Sequence, residues 1–122
     1  MATESSPVRR GEIRRVDFEP ARGSEPSKLR PAVIVSNEGA NGAAARLGKG
    51  LVTVVPLSSN VGSVLPFQVL VPSSESGLKA DSKAQVEQIR GVDVSRIGPL
   101  LGTVPIQLMR KLDEALRIQL AL

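Results

Sequence analysis

The sequence predicts a mainly β domain with α (α+β): a small barrel of about six strands, or two packed small sheets, closed by one C-terminal helix. Three observations carry this. Short Val- and Ile-rich runs recur between clusters of Gly, Pro, Ser and Asn, as strands separated by turns do. Only after Pro105 does the apolar period become helical, with Ile106, Met109, Leu112, Leu116 and Leu120 on one stripe. A chain of 122 residues with 41% hydrophobic content fills one modest core, so residues 9–122 are expected to form a single domain.

Residues 1–8 are short, small or polar and read as a disordered arm. Glu12 to Phe18 supplies a first strand through Ile13, Val16 and Phe18, and Glu19 to Lys28, with two prolines and a glycine among charges, an exposed loop. Pro31 to Ser36 is a continuous apolar run suited to a strand buried on both faces. Asn37 to Gly50, rich in Gly, Ala and Asn, is expected to be a long loop. Leu51 to Leu57 is the next strand. Val64 to Val71 is a fourth, placed at an edge or bulge by Pro66. Pro72 to Asp81 is turn chemistry, Ala84 to Arg90 alternates like a half-exposed strand, and Leu100 to Thr103 adds a short sixth. The final helix begins near Pro105, which suits a first helical turn.

Composition narrows the chemistry. The chain has no cysteine and no histidine, which excludes disulfides and thiolate nucleophiles and removes the usual acid-base side chain and the usual zinc ligands. No metal site and no cofactor are expected. A net charge of +4 and a pI near 10.1 favour an acidic partner such as a nucleic acid. No apolar run approaches membrane-spanning length, and Met1 to Pro7 lacks the apolar centre of a signal peptide, so a cytoplasmic protein with no membrane contact is expected.

The hinge between loop and strand is the most informative segment. Arg30 stands where the Gly23 to Ser27 loop meets the Pro31 to Ser36 run, a cation at the mouth of a strand suited to a phosphate. Around it, Arg10-Gly11-Glu12, Gly23-Ser24-Glu25, Arg30-Pro31-Ala32-Val33-Ile34-Val35, Pro56-Leu57-Ser58-Ser59, Leu65-Pro66-Phe67, Asp81-Ser82, Glu87-Gln88-Ile89-Arg90 and the terminal Leu108 to Leu116 segment follow one another in a specific order and spacing. In that order the chain resembles the MazF/PemK family of toxin endoribonucleases of type II toxin-antitoxin modules, over nearly everything beyond residue 8.

The resemblance implies the SH3-like barrel shared by CcdB and PemK toxins. It also implies a sequence-specific, metal-independent endoribonuclease, an mRNA interferase cutting single-stranded RNA to 2′,3′-cyclic phosphate and 5′-hydroxyl ends and so arresting translation and growth. Because the RNA supplies its own 2′-hydroxyl as nucleophile, the protein needs only to position the phosphate, stabilise developing charge and move protons. Arg30 matches the family's active-site arginine; its guanidinium can clamp two phosphate oxygens and, with a pKa above about 12, serves charge stabilisation better than base catalysis. Ser58 falls where the family carries a threonine, with Ser59 the fallback if the register slips by one. Glu25 is the base candidate by charge type. Glu87 and Gln88 match base-reading positions, Arg90 is suited to a backbone phosphate, and Asn60, Lys28 and Lys79 join them as RNA-binding candidates. Lys83 is grouped with Lys28 and Lys79 as a loop cation.

Two departures stand out: the 37–50 loop is longer than the family usually has, and Phe18 and Phe67, the only aromatics, read as core residues instead of stacking platforms. The apolar helix face exceeds what six strands absorb, which with the resemblance predicts a homodimer, the other reading being a helix fully used by its own sheet. A cognate MazE-like antitoxin with an acidic, partly disordered segment is the implied protein partner. The alternatives are a CcdB-like toxin that poisons gyrase and cleaves nothing, and a basic adaptor domain.

Overall fold

A computed structural model describes residues 8–18 and 29–122. Its elements are β1 (Glu12–Asp17), β2 (Leu29–Ile34), α1 (Glu38–Leu47), β3 (Leu51–Ser58), β4 (Val69–Val71), α2 (Ser73–Ser76), β5 (Ser82–Ala84), β6 (Arg90–Asp93), β7 (Ile97–Thr103) and α3 (Ile106–Leu120). Short 3-10 turns at Val86–Gln88 and Val94–Arg96 flank β6. The seven described strands form one curled antiparallel sheet in the order β4-β5-β3-β2-β1-β7, with β6 also paired to β3.

Strand alternation explains the curl and the two core clusters. In β2, Val33 points to one face and Ala32 and Ile34 to the other, and all three are fully buried. The first cluster gathers Ile13, Val33, Val55 and Leu57 under Leu108 and Leu112 of α3. The second gathers Val16, Ala32, Ile34, Val52 and Val54 under Ala44 of α1. Each such Val, Leu or Ile side chain contributes about 1.5–3 kcal/mol relative to exposure. Val8 also packs into the second cluster at 6% exposure, so the arm expected to reach residue 8 stops short of it.

The 37–50 segment is a helix where the sequence suggested a loop. Its small residues looked like loop composition, but the caps decide. Asn37 Oδ1 accepts from Ala40 N at 2.8 Å. Glu38 stands in the first turn and Arg46 in the last. Gly48 ends the helix at φ 67°, its N–H reaching Ala44 O. Buried Asn41 then ties α1 to the sheet. Its amide donates to Ser36 O at 2.9 Å, and Ser36 Oγ accepts from Thr53 N at 3.0 Å.

Other boundaries moved as well. Val64 to Phe67 is not strand, because Gln68 N donates to Leu65 O at 2.8 Å and Leu65 N donates to Gln68 Oε1 at 3.0 Å, closing a turn at Pro66. Ala84 to Arg90 is not one strand: β5 pairs Leu57 and Ser58, β6 pairs Leu51 to Val54, and the 3-10 turn bridges them. Within the 73–81 segment α2 interrupts the expected turn. At the end of the chain, β7 is longer than expected and Pro105 sits just before α3.

Candidate active site

The site forms where two strands part. The β2–β3 ladder runs Ile34↔Val54, Val33↔Val55, Ala32↔Pro56 and stops; carried two residues further, the same register sets Arg30 opposite Ser58. Beyond the β2–β3 ladder but still paired with Val16 of β1, Arg30 turns its Nη2 to Leu57 O at 3.1 Å and to Gln85 Oε1 at 2.6 Å. Burial lowers the guanidinium's pKa from its ordinary value. It remains a cation near neutral pH.

Ser58 is prepared in a complementary way. Its Oγ accepts from Asn60 N at 3.1 Å, a local turn that occupies one lone pair and leaves the hydroxyl proton free to donate. Across the β3–β5 ladder Ser58 faces Lys83, which the sequence had grouped with loop cations. Lys83 is instead a buried strand residue whose Nζ donates to Ser63 O at 2.6 Å, holding the loop that follows Ser58.

The opposite wall is the segment after α2. Gly77 carries the chain out of the helix at φ 84°. A Cβ at Gly102 would collide with Ser76 O, so only glycine lets β7 lie this close beneath the wall. Asp81 Oδ1 accepts from Ser73 N at 2.8 Å and closes the segment. That backbone bond, then the Ser73 hydroxyl, holds the Asp81 carboxyl below its ordinary pKa. Between the walls lies a groove of about 660 Å³ whose lining includes Arg30, Ser58, Ser59, Lys79, Leu78 and Leu101.

The structure thus brings Arg30, Ser58, Ser59 and Lys79 to one groove. Asn60 is exposed beside it and acts on Ser58 through its backbone N–H. Glu87 and Gln88 occupy the 3-10 turn outside the groove lining; Glu87 Oε2 accepts from Gln68 Nε2 at 2.9 Å, and its Oε1 is buried without a partner. Arg90 lays its guanidinium 5.3 Å from the centre of the Phe18 ring. Glu25 and Lys28 lie outside the described residues. The residue that sequence reasoning missed is Gln85, which no local motif connects to Arg30. Among the described residues no group of three or more His, Cys, Asp or Glu side chains is placed to hold a metal ion.

The fold and site together are a curled antiparallel half-barrel with a guanidinium and a hydroxyl lining one groove. The family model described as PemK-like, MazF-like toxin of type II toxin-antitoxin system matches residues 9–120, and the chain belongs to that family. It is 51% identical over 115 residues to endoribonuclease MazF9 of Mycobacterium tuberculosis, covering 94% of this chain and 98% of that one. It is 30% identical over 115 residues to endoribonuclease EndoA of Bacillus subtilis, covering 94% and 96%. Among solved structures, MazF of Deinococcus radiodurans superposes with a TM-score of 0.74 at 23% identity, over 98% of this chain and all of that one (100%). A mycobacterial endoribonuclease in complex with its cognate antitoxin gives 0.72 at 25% identity, over 93% and 95%.

Proposed function

We propose that this chain is an endoribonuclease toxin that cuts single-stranded RNA, mRNA above all, by transesterification. The observation that carries it is Arg30 and Ser58 facing one groove, with Arg30 Nη1 and Nε free of partners among the described residues. A phosphodiester laid in the groove meets both groups. The 2′-oxygen of the preceding ribose attacks phosphorus, and its proton passes to a base. Glu25, five positions before Arg30 in the chain, is the candidate. Arg30 and the Ser58 hydroxyl donate to the phosphoryl oxygens as negative charge builds. The bond to the 5′-oxygen breaks, and that oxygen leaves with a proton. The products are a 2′,3′-cyclic phosphate and a 5′-hydroxyl. Every bond change uses RNA atoms and protons alone, Arg30 and Ser58 supply the charge stabilisation, and the proposed reaction is metal-independent.

Lys79 adds affinity at the groove rim without sequence choice, and Ser59 supplies a further hydrogen bond. Lys28, Asn60, Glu87, Gln88 and Arg90 remain RNA-binding candidates for substrate extending past the groove. The helix face supports the homodimer. Ile106, Ile118, Leu120 and Leu122 are exposed on or just beyond α3, although Leu108, Met109, Leu112 and Ala115 are buried by the chain's own sheet. A MazE-like antitoxin whose acidic segment covers the basic groove is the proposed regulator, in keeping with the relative solved with its cognate antitoxin. No described helix is long and apolar enough to cross a membrane, and we place the protein in the cytoplasm with its RNA. The comparisons lend no support to a CcdB-like gyrase poison.

Incubation of the purified chain with a long RNA in EDTA tests the function. Wild type should give discrete cuts with cyclic-phosphate ends, a 2′-deoxy substitution at the cut site should block them, and Arg30→Ala should give none. Cleavage surviving Arg30→Ala, or no cleavage by wild type, refutes it.

A further inference from the structure

The β1 ladder fixes the Arg30 backbone opposite Val16, but not its side chain. Arg30 stands two residues beyond the last β2–β3 pair, where no ladder partner on β3 fixes it. Its Nη2 meets Leu57 O at 3.1 Å and Gln85 Oε1 at 2.6 Å, and the second contact joins residues 55 positions apart. A guanidinium has no acceptor, so the Gln85 amide must present its oxygen here.

Gln85 is itself anchored. Its N–H donates to Pro56 O at 2.9 Å, and its carbonyl accepts from Gln88 N at 2.9 Å. The residues on either side, Ala84 and Val86, are fully buried. Leu57 pairs with Ala84 across the β3–β5 ladder, so both acceptors for Arg30 ride on one fixed patch of backbone.

We propose that Gln85 is a positioning residue for RNA cleavage: its amide oxygen holds the Arg30 guanidinium at the groove while Nη1 and Nε stay free for the substrate phosphate. This rests on the function proposed above. A neutral acceptor suits the task. A carboxylate at this position would grip the guanidinium harder but cancel charge that the transition state uses. An apolar side chain would leave Arg30 with only the Leu57 carbonyl and more rotamer freedom to lose on binding. Gln85 touches no reacting atom; it acts through Arg30.

Steady-state cleavage of a short RNA and side-chain 15N spectra of Arg30, assigned with Arg30→Lys, test this together. For Gln85→Leu, kcat should fall about 10- to 100-fold with KM changed by less than about threefold, and the Arg30 Nη signals should show faster rotation. For Gln85→Glu, the Nη signals should stay restrained and kcat should fall, with the variant-to-wild-type ratio rising as acid protonates the carboxylate. A role confined to folding would lower thermal stability without splitting kcat from KM or creating that pH-dependent ratio. Unchanged kcat in Gln85→Leu overturns the proposal, as do unchanged Arg30 signals. If wild type cuts no RNA, the proposed function fails, and the spectra still decide: a loosened guanidinium supports the hold by Gln85, an unaltered one refutes it.

Discussion

β3 is two different strands end to end. From Leu51 to Val54 it is paired with β6, and Val52 and Val54 are fully buried in the cluster beneath α1. Beyond Pro56 it has left β2, Leu57 and Ser58 pair with β5, the Pro56 carbonyl goes to Gln85 N, and the Leu57 carbonyl accepts from Arg30. Both halves keep a ladder on one edge, to β6 and to β5 in turn, but beyond Pro56 the edge that faced β2 is open and receives the Arg30 side chain. A groove needs a point at which one edge of the strand is released, because a strand paired on both edges has neither free carbonyls nor room for a guanidinium. Substitutions of the buried residues around Val52 and Val54 should therefore cost stability and spare chemistry, and substitution of the groove-lining Ser58 should do the reverse.

The largest test of that contrast is Ile34→Ala, a fully buried side chain opposite Val54. It should lose about 2–5 kcal/mol in denaturant unfolding, with kcat per folded molecule unchanged. A drop in kcat at full folding would break the division. Ser58→Ala should lower kcat about 10- to 100-fold with little change in unfolding midpoint, and Ser58→Thr should keep the rate, since it keeps the hydroxyl. If Ser58→Ala cost stability instead, the second half would be ordinary strand. Asn37→Ala removes the cap of α1 and should cost about 1 kcal/mol by thermal or denaturant unfolding while cleavage persists.

The smallest effect is acid sensitivity of the groove wall. The folded pKa of Asp81 lies below its unfolded value, so its tie to Ser73 is fully present above about pH 4 and is lost as pH falls through the folded pKa. The Ser73 amide signal should titrate in that acid range, and Asp81→Asn should abolish the titration. Glu38 has the same sign, its pKa lowered first by the Arg10 backbone N–H and then by Asn41, so Asp81→Asn is the variant that isolates the wall.

Local signals were readable wherever a few neighbouring residues decide the outcome. Ile13 with Val16, the Pro31 to Ser36 run and the Ile106 to Leu120 stripe each became the element their spacing suggested, within a residue or two. The helix over Glu38–Leu47 is legible too, in Asn37, Glu38 and Gly48, whose caps prevail over a loop-like small-residue composition. The break between Ala84 and Arg90 was not legible. Its alternating residues suit a strand, and only the handover of β3 from β5 to β6 forces the turn.

The sequence by itself determined a strand-rich domain with a terminal helix, chemistry without histidine or thiol, and an arginine at the start of β2, because alternation, capping and composition are properties of residues close along the chain. Only the tertiary structure decided that Arg30 and Ser58 line one groove, that Gln85 meets Arg30, and that Gly102 admits the α2 wall. Those meetings depend on strand register and on the curl of the sheet, which are settled by packing between residues far apart in the chain.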